Sequence, residues 1–451
     1  MAPSSIGRQA VVVGAGMGGL AAAGAIAPHF EQVVVVERDV LPAEPVDRPG
    51  IPQGPHPHGL LVSGQRALSE LFPGFEQDLV RAGAVSLIAG LDVRMERPGY
   101  DPFPQRDLGW RTYALSRPAI ERAVRRRVES LANVTLRQRC RVRELLATPE
   151  GATVTSVRLE NGAGSTETLE ADLVVDASGR GALTLALLKA TGRPLPEETA
   201  IGVDFGYATC VFAIPDDAPT DWKGVMTFGG PGPQGARGGL LFPLEGNRWM
   251  AGLGGRHGDQ PPGDTEGYLA FMRGLRTPTM YNAIKHAKRL GSVARYGAPE
   301  SVRRHFERLE TFPRGLLPIA DAICRFNPVY GQGMSVAALE ACLLRRLLET
   351  PTDKGDPIAT LAHVFFAEMP ALIETPWSVA TFDFVHPETR GERPADFETR
   401  LAFSMALTRL AAEDPAVHRL TAEVQSLLKP RSVYRDDPAL MKRVMAIMAQ
   451  G

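Results

Sequence analysis

Residues 9–38, QAVVVGAGMGGLAAAGAIAPHFEQVVVVER, decide the fold of this chain of 451 residues. The apolar run at residues 10–13 is typical of a strand buried in a parallel sheet. Glycines with the spacing G-x-G-x-x-G follow this run, and a helix of small residues begins directly after them. A second apolar run, at residues 33–36, completes the order of strand, turn, helix and strand. The stretch therefore predicts a βαβ unit that binds a dinucleotide.

The glycines and the acidic residue of this unit have separate expected roles. Gly14 allows the tight turn, Gly16 lets the backbone approach a pyrophosphate, and Gly19 lets the helix pack close to the sheet. Glu37 follows the second strand, where a carboxylate would bind a ribose hydroxyl. The first turn of the helix would offer free N–H groups and a partial positive charge to the phosphates.

The composition is that of an ordinary soluble protein. Hydrophobic residues make up 44% of the chain, charged residues 22%, and the net charge is −1. The chain has no excess of basic residues that would favour a nucleic-acid partner. It also lacks a run of about 18 apolar residues, so no membrane span is predicted. Residues 1–8 lack the form of a signal peptide, and the four cysteines form no C-x-x-C pair. We therefore expect a cytoplasmic protein with reduced thiols.

Two later stretches repeat the pattern of a buried strand that ends in a turn. The first runs into Asp176 and Gly179. The second runs into Asp321 and continues through a loop rich in proline and glycine to a helix predicted at about residues 334–348. The start of that helix would form another anion site. We expect both stretches to join the nucleotide-binding domain.

The middle of the chain has a different character. Residues 201–214, 225–228, 239–244 and 248–253 are strand-like, with a hairpin turn at 245–247 and no alternating helices. These strands predict an antiparallel sheet outside the nucleotide-binding domain.

Shorter patterns complete the assignment. Residues 134–136, 141–145 and 154–159 predict the strands of one small sheet. Ser116 is a predicted N-cap of a helix that begins near Arg117. Residues 351–451 are predicted to be helical, with breaks at Pro370, Pro376 and residues 386–394.

The predicted fold class is α/β, with a discontinuous Rossmann-like domain, a mostly antiparallel β-sheet domain for the substrate and a helical C-terminal region. The predicted boundaries are 1–90, 111–194 and 306–350 for the first domain, 91–110 and 195–305 for the second, and 351–451 for the helical region.

Together these stretches resemble the single-component FAD-dependent monooxygenases of the p-hydroxybenzoate hydroxylase and squalene epoxidase kind. Residues 14–19 with Glu37 are similar to that family's motif for the ADP part of FAD. Residues 176–180 are similar to its Asp-Gly motif, and residues 321–333 to its second flavin motif. The resemblance covers residues 8–60, 110–190 and 310–345, and it implies that the Rossmann-like domain binds FAD.

A closer likeness is to the bacterial olefin epoxidases of polyether pathways, such as the lasalocid and monensin epoxidases. Ala320 stands where the flavin motif usually has glycine, and Ser335 stands where many aromatic hydroxylases carry asparagine. These departures favour an epoxidase over a phenol hydroxylase. The likeness rests on four local matches: IPQGPHPH at 51–58, VDASGRG at 175–181, GYAT at 206–209 and FNPVYGQGMS at 326–335.

The resemblance also implies roles for individual residues. Glu37 would bind the adenosine ribose, Arg117 would contact the FAD phosphates, and Asp321 would bind the ribityl or pyrophosphate region. Backbone N–H groups at residues 331–334 would stabilise the negative charge of the reduced flavin at its N1/O2 edge. The predicted cofactor-binding residues are Gly14, Gly16, Gly18, Gly19, Glu37, Arg38, Arg117, Asp176, Gly179, Asp321, Pro328, Gly331, Gln332, Gly333 and Met334.

No catalytic side chain and no metal ligand is assigned. His56 and His58 lie two residues apart in a loop without further ligands at suitable spacing, so we expect this loop to lie along the cofactor. The predicted substrate pocket includes the apolar or aromatic residues Tyr207, Met226, Phe228 and Phe242.

The implied reaction begins when NAD(P)H, or a partner reductase of the flavin or ferredoxin type, reduces FAD. O2 would then add to form a flavin C4a-hydroperoxide, which transfers one oxygen atom to a small apolar alkene or arene. Alkene epoxidation needs no protein base, whereas phenol hydroxylation benefits from one. The expected function is therefore alkene epoxidation. An aromatic hydroxylase, an FAD reductase of the geranylgeranyl reductase type, a flavin halogenase and a non-catalytic flavin-binding protein stay as alternatives.

Overall fold

The computed structural model describes residues 5–230 and 235–450. The expectation that residues 1–8 are not a signal peptide therefore lies half outside the described residues. The strands are β1 (Gly7–Val13), β2 (Phe30–Val36), β3 (Val85–Ile88), β4 (Val93–Glu96), β5 (Arg111–Ala114), β6 (Val134–Arg137), β7 (Cys140–Ala147), β8 (Val154–Asn161), β9 (Thr166–Glu170), β10 (Leu173–Asp176), β11 (Glu198–Ala213), β12 (Gly224–Thr227), β13 (Gly238–Leu244), β14 (Arg248–Arg256), β15 (Ala294–Arg304), β16 (Leu316–Pro318) and β17 (Cys324–Arg325). The helices are α1 (Met17–Ile26), α2 (Val62–Leu71), α3 (Phe75–Arg81), α4 (Arg117–Glu129), α5 (Ala182–Ala190), α6 (Thr265–Arg273), α7 (Thr279–Ile284), α8 (Gly333–Glu349), α9 (Leu361–Ala380), α10 (Phe397–Glu413), α11 (Pro415–Gln425) and α12 (Pro438–Met448).

A parallel sheet of five strands contains the predicted βαβ unit. Its strand order is β16-β10-β1-β2-β6. The apolar runs at residues 10–13 and 33–36 are buried in β1 and β2, as a strand covered on both faces requires. The two later strand-and-turn stretches supply β10 and β16, so the α/β fold built from distant stretches is confirmed.

Helix α1 consists mostly of small residues, and this lets other segments approach it closely. All of its residues are buried. A Cβ at Gly19 would lie 1.8 Å from the carbonyl oxygen of Gly14, and a Cβ at Gly18 would lie 2.8 Å from the Cβ of Ala320. A Cβ at Gly24 would lie 2.3 Å from the ring of Phe72. Only glycine at these positions allows the turn after β1 and the loop after β16 to meet against one helix.

One strand prediction was wrong in its partner. Residues 134–136 form β6, which pairs in parallel with β2 at the edge of the five-stranded sheet, with Leu136 opposite Val35. The small antiparallel sheet consists of β7, β8 and β9 instead. A short strand pattern does not specify its neighbour; here Asn133, just before β6, donates its side-chain amide to the carbonyl oxygens of Ala27 and Phe30 beside β2.

A second large sheet has the order β17-β15-β11-β14-β13-β12-β4. Its neighbouring strands are antiparallel except for β12 and β4, which are parallel. Among the described residues no α-helix lies between the four predicted strands, as expected, but α6 and α7 follow β14 and lead to β15, and neither these helices nor β15 was predicted. Tyr268, Phe271 and Met272 of α6 have the spacing of an amphipathic helix and are buried in one cluster with Phe212 and Trp249 of the sheet.

The C-terminal region is helical, as predicted, but two predicted breaks are absent. Pro370 and Pro376 both lie inside α9. Each proline removes one helical hydrogen bond, and the apolar face of α9, with Phe365 and Ile373 buried in the main core, holds the helix together across both. The predicted break at residues 386–394 is confirmed, because it precedes α10. Within residues 5–230 and 235–450, no helix is long and apolar enough to cross a bilayer.

Replacing Gly19 with alanine will destabilise the chain, because the added Cβ meets a backbone oxygen that can move only with β1. We expect the free energy of unfolding to fall by about 3 kcal/mol, the upper end for an overpacked core. Urea denaturation followed by circular dichroism measures this change. Gly291→Ala is the control, since no heavy atom lies within 4 Å of a Cβ there, and it should change the value by less than about 0.5 kcal/mol. Equal stability of the two variants would contradict the close packing.

Candidate functional site

A crevice of about 500 Å³ opens at the carboxyl ends of β1, β2, β10 and β16. Ligands of open α/β sheets bind at this end of the strands, and the volume lies in the range of small-molecule sites. Thirteen of the predicted cofactor-binding residues line it: Gly14, Gly16, Gly18, Glu37, Arg38, Arg117, Gly179, Asp321, Pro328, Gly331, Gln332, Gly333 and Met334.

The other two predicted residues lie beneath the crevice. Gly19 faces the backbone of Gly14, where its missing side chain serves packing. Asp176 is fully buried, and its carboxylate accepts hydrogen bonds from the backbone N–H and hydroxyl groups of both Ser178 and Thr184. Asp176 thus shapes the turn that carries Gly179 and does not itself reach the crevice.

Three glycines leave open space along the wall of the crevice. The nearest heavy atom to a Cβ at Gly16 would be Cδ1 of Ile51 at 3.9 Å, and none would lie within 4 Å at Gly179 or Gly333. Helices α1 and α8 begin at the crevice, and neither has a side chain that caps its first N–H groups. Backbone donors and cleared space together fit a ligand that carries phosphates along its length.

A buried ion network forms the wall beside Glu37, and its central residue, Arg48, was not predicted from the sequence. The Arg48 guanidinium contacts Asp39 and Glu121 at 2.8 Å each and Glu37 at 3.2 Å. The Glu37 carboxylate also accepts the backbone N–H of Ala15 at 2.8 Å. The network therefore fixes the acidic residue after β2 to the glycine turn after β1.

Arg117 joins this network from the first turn of α4. Its guanidinium donates to Glu121 at 2.6 Å, and Ser116 caps the helix, as predicted, by accepting the backbone N–H of Ala119. The nearby guanidinium groups of Arg117 and Arg48 lower the pKa of Glu121 against the effect of its burial. Arg117 is thus held at the crevice wall in one orientation.

Asp321 presents a carboxylate to the crevice, and no hydrogen bond or ion pair joins it to the residues that the structure describes. Burial raises its pKa, while Arg325 and Arg117 act in the opposite direction. Beneath it, the buried carboxyl of Glu340 accepts the backbone N–H of Ala320 at 2.5 Å, and burial raises the pKa of Glu340 to about 8. This bond holds Ala320, where the family motif has glycine, at a positive φ of 59°.

The loop with the two histidines lies between the crevice and the seven-stranded sheet. His58 lines the crevice, and its Nδ1 lies 2.8 Å from the carbonyl oxygen of His56. Nδ1 of His56 lies 2.8 Å from the Thr209 hydroxyl on β11, and Pro57 covers Gly252 on β14. In the described part of the chain, no group of three or more potential metal ligands occurs. The loop therefore separates the crevice from the sheet, in line with the expected position beside a cofactor.

The four residues predicted for the substrate pocket share one face of the seven-stranded sheet. The register places Met226 and Phe242 on the face of Thr209, toward the histidine loop, and Tyr207 and Phe228 follow by alternation along their strands. None of the four lines the crevice itself. Phe228 lies beside the guanidinium of Arg97.

A polar network behind the second flavin motif was not predicted. Asp383, fully buried in the turn after α9, accepts the hydroxyl of Tyr330 at 2.8 Å and pairs with Arg256 at 2.9 Å. The Tyr207 hydroxyl donates to the side chain of Asn327 at 2.7 Å, and Asn327 lines the crevice. This network ties the loop at residues 327–331 to both the sheet and the C-terminal region.

The quoted sequence matches contain Tyr207, Asn327 and Tyr330, but Arg256 and Asp383 come from other parts of the chain, so no local pattern predicts that these five residues meet. The buried Tyr207 has a pKa well above its ordinary value because of desolvation. Burial also raises the pKa of Asp383, against the effect of the Arg256 guanidinium. The one sequence signal was an aspartate in an otherwise apolar segment at residues 379–385.

Comparison with known proteins identifies one clear relative. Protein Rv3254 of Mycobacterium tuberculosis (strain ATCC 25618 / H37Rv) is 34% identical in an alignment 367 residues long that covers 78% of this chain and 76% of that protein. No protein-family model matches the chain.

Several solved structures share the fold at low identity. A flavoprotein/dehydrogenase from Cytophaga hutchinsonii superposes with a TM-score of 0.68 and 15% identity over 98% of this chain and 99% of that one. A triple mutant of the flavin-dependent brominase Bmp2 superposes with a TM-score of 0.65 and 14% identity over 98% of each chain. The p-nitrophenol 4-monooxygenase PnpA from Pseudomonas putida DLL-E4 superposes with a TM-score of 0.64 and 18% identity over 94% of this chain and 99% of that one. The chain therefore shares the fold of these three structures.

The histidine loop should make stability depend on pH. Burial lowers the pKa of His56 from 6.5 to about 4, so the unfolded chain binds this proton first and stability falls as the pH drops from about 6.5 to about 4. Between about pH 7.5 and pH 5, His56 should account for a loss of about 2 kcal/mol in the free energy of unfolding. Urea denaturation at both pH values measures this loss. In His56→Asn the free energy of unfolding should fall by about 2 kcal/mol less than in the unsubstituted chain. His363→Asn, at an exposed position on α9, is the control, and an unchanged pH dependence in His56→Asn would contradict the assignment.

Proposed function

We propose that this chain, which belongs to the same protein family as Protein Rv3254 of Mycobacterium tuberculosis, is an FAD-dependent monooxygenase. The observation that carries the proposal is the meeting of three distant loops around one crevice. Residues 14, 16–18, 177–179, 328 and 331–334 line it together with Glu37 and Arg117. Each loop has the residue types that the corresponding part of FAD requires.

The residues of the crevice fit FAD along its whole length. The open space at Gly16 and the first turn of α1 would take the pyrophosphate. Glu37 is held by Arg48 next to the glycine turn, where it would accept an adenosine ribose hydroxyl. Asp321 has a carboxylate without a partner in the described chain, and a hydroxyl of the ribityl chain would supply one. Gly333 and Met334 at the start of α8 would offer N–H groups to the edge of the isoalloxazine ring.

When bound, FAD would take electrons from a reduced nicotinamide or a partner reductase and transfer one oxygen atom of O2 to the substrate. The chain itself contributes orientation and preorganised donors. The N–H groups at residues 331–334 would stabilise negative charge at the ring edge without reorganising, because Asp383 fixes Tyr330 within that loop. The loop with His56 and Pro57 would keep water from the space between the crevice and the sheet.

We propose alkene epoxidation as the reaction, with aromatic hydroxylation as the alternative. The polar side chains beside the apolar sheet face and behind the crevice loop are poor bases. Burial lowers the pKa of His56, which lies against Thr209 on this face, to about 4. The Tyr207 hydroxyl donates a hydrogen bond to Asn327, and its pKa is raised. Asp383 forms an ion pair with Arg256 and accepts a hydrogen bond from Tyr330. An alkene needs no base, whereas a phenol is activated by deprotonation. The substrate would then be a small apolar metabolite, with Tyr207, Met226 and Phe242 on its side of the sheet.

Replacing Gly16 with valine should abolish FAD binding and leave the fold intact, because the side chain enters the open crevice and meets no protein atom closer than Ile51. We expect affinity to fall by about 100-fold or more, equivalent to about 2.7 kcal/mol. Equilibrium dialysis and flavin absorbance after gel filtration measure the loss, and circular dichroism checks the fold. Gly291→Val is the control variant. Unchanged FAD affinity in Gly16→Val would remove the basis of the cofactor assignment.

The reaction itself can be tested with the FAD-loaded chain, a terminal-alkene substrate panel and a matched phenol panel. NADPH, NADH and a ferredoxin-type reductase are supplied in turn, and O2 uptake is recorded with the product mass. We expect O2 uptake and the gain of one oxygen atom by an alkene. Gain of oxygen by phenols alone would favour the hydroxylase. Reduction of an alkene without O2 would favour the reductase, and a chain that stays colourless with FAD would refute the proposal.

A further inference from the structure

A second cavity, of about 700 Å³, lies in the C-terminal region and shares no lining residue with the crevice. Segments from α9, α10 and the chain between α11 and α12 surround it, with Arg303 of β15 at one side. Its volume is in the range of sites for small organic ligands. Nothing proposed above for FAD or its substrate uses this space.

One wall of the cavity is aromatic and apolar. Trp377 comes from α9, Phe403 from α10, Tyr434 from the turn after α11, and Met441 from α12. The rings of Phe403 and Tyr434 lie with their centres 6.2 Å apart. Such a wall would accept a hydrocarbon or aromatic body and give it most of its binding energy.

The polar groups of the cavity are mainly hydrogen-bond donors. The Arg431 guanidinium reaches α9 and donates to the Ser378 hydroxyl at 2.6 Å, and burial lowers its pKa. Arg431 has no carboxylate within ion-pair distance among the described residues, although the charge of Glu374 acts on it from farther away in the direction of a higher pKa; Arg435 is exposed. Nε of Arg303 is buried without a hydrogen-bond partner among the described residues, while Nη2 of the same guanidinium pairs with Glu307 at 2.8 Å. A partly buried guanidinium without a counter-ion is costly, and a ligand carboxylate would remove that cost.

The acidic residues of the cavity leave room for such a ligand. Asp396 is exposed and paired with Arg400 at 2.8 Å, and Glu374 is exposed on the surface of α9. Both therefore lie toward the solvent, whereas Arg431 and Tyr434 lie deeper. The electrostatic balance inside the cavity is positive.

We propose that this cavity is a binding site for a small amphipathic carboxylate. The apolar or aromatic body would lie against Trp377, Phe403 and Met441, and the carboxylate would accept hydrogen bonds from Arg431. The site is independent of the FAD crevice, so it stands or falls separately from the monooxygenase proposal.

The test uses phenylbutyrate and the uncharged phenylbutanol as paired probes on the FAD-loaded chain, with isothermal titration calorimetry. The alcohol should bind about 10-fold or more weakly than the acid, because it lacks the charge that pairs with the guanidinium. Arg431→Gln should lower the affinity for the acid by about 10-fold and leave the affinity for the alcohol unchanged. Arg431→Lys should keep most of the preference for the acid over the alcohol. Arg409→Gln, on the exposed surface of α10 outside the cavity, is the control for loss of one positive charge.

Tryptophan fluorescence gives a second readout. Binding of the acid should change the emission, and Trp377→Phe should abolish that change. Of the other three tryptophans, Trp222 and Trp249 lie in the core of the other sheet domain, and Trp110, just before β5, does not line the cavity. Gly16→Val should bind the acid as tightly as the unsubstituted chain, which separates this site from the crevice. Three results would overturn the proposal: neither probe binds, the acid and the alcohol bind equally well, or a folded Arg431→Gln chain binds the acid as tightly as the unsubstituted chain.

Discussion

The thinness of helix α1 is the constraint on which the rest of the nucleotide-binding region depends. With glycine at positions 18, 19 and 24, the turn after β1, the loop after β16 and the ring of Phe72 all approach the helix backbone directly. A Cβ at each of these positions would lie within 2.8 Å of an atom of the neighbouring segment, so that segment would have to move outward. The three loops that line the crevice meet only because this helix occupies so little space between them.

The sequence predicted those features whose physical cause is local. The strand, glycine turn and helix at residues 9–38 follow from a few adjacent residues, and so does the anion-binding start of α8. Arg48 and Asp383 escaped prediction because their partners, Glu121 and Tyr330, lie far from them in sequence. The same limit explains β6, whose pattern indicated a strand but not its partner. At Pro370 and Pro376, packing of α9 outweighed a local rule that usually ends a helix.

The two polar networks have different physical characters. Around Arg48, three carboxylates and two guanidinium groups stand within the wall of the crevice, so burial costs are offset by several charge-assisted hydrogen bonds. Around Asp383, one ion pair supports neutral donors, and Tyr330 is positioned by a carboxylate that is closed to solvent. The first network sets where a ribose and phosphates would lie. The second sets the shape of the loop near the ring edge.

The position of Asp383 has a consequence for how the polypeptide can be divided. The aspartate comes from the turn that follows α9, yet its partners Tyr330 and Arg256 belong to the crevice loop and to β14. The last hundred residues are therefore no detachable appendage, and grafting them from a relative would transplant part of the cofactor loop's support. Evolution in this family would have to exchange residues 256, 330 and 383 as a set rather than one region at a time.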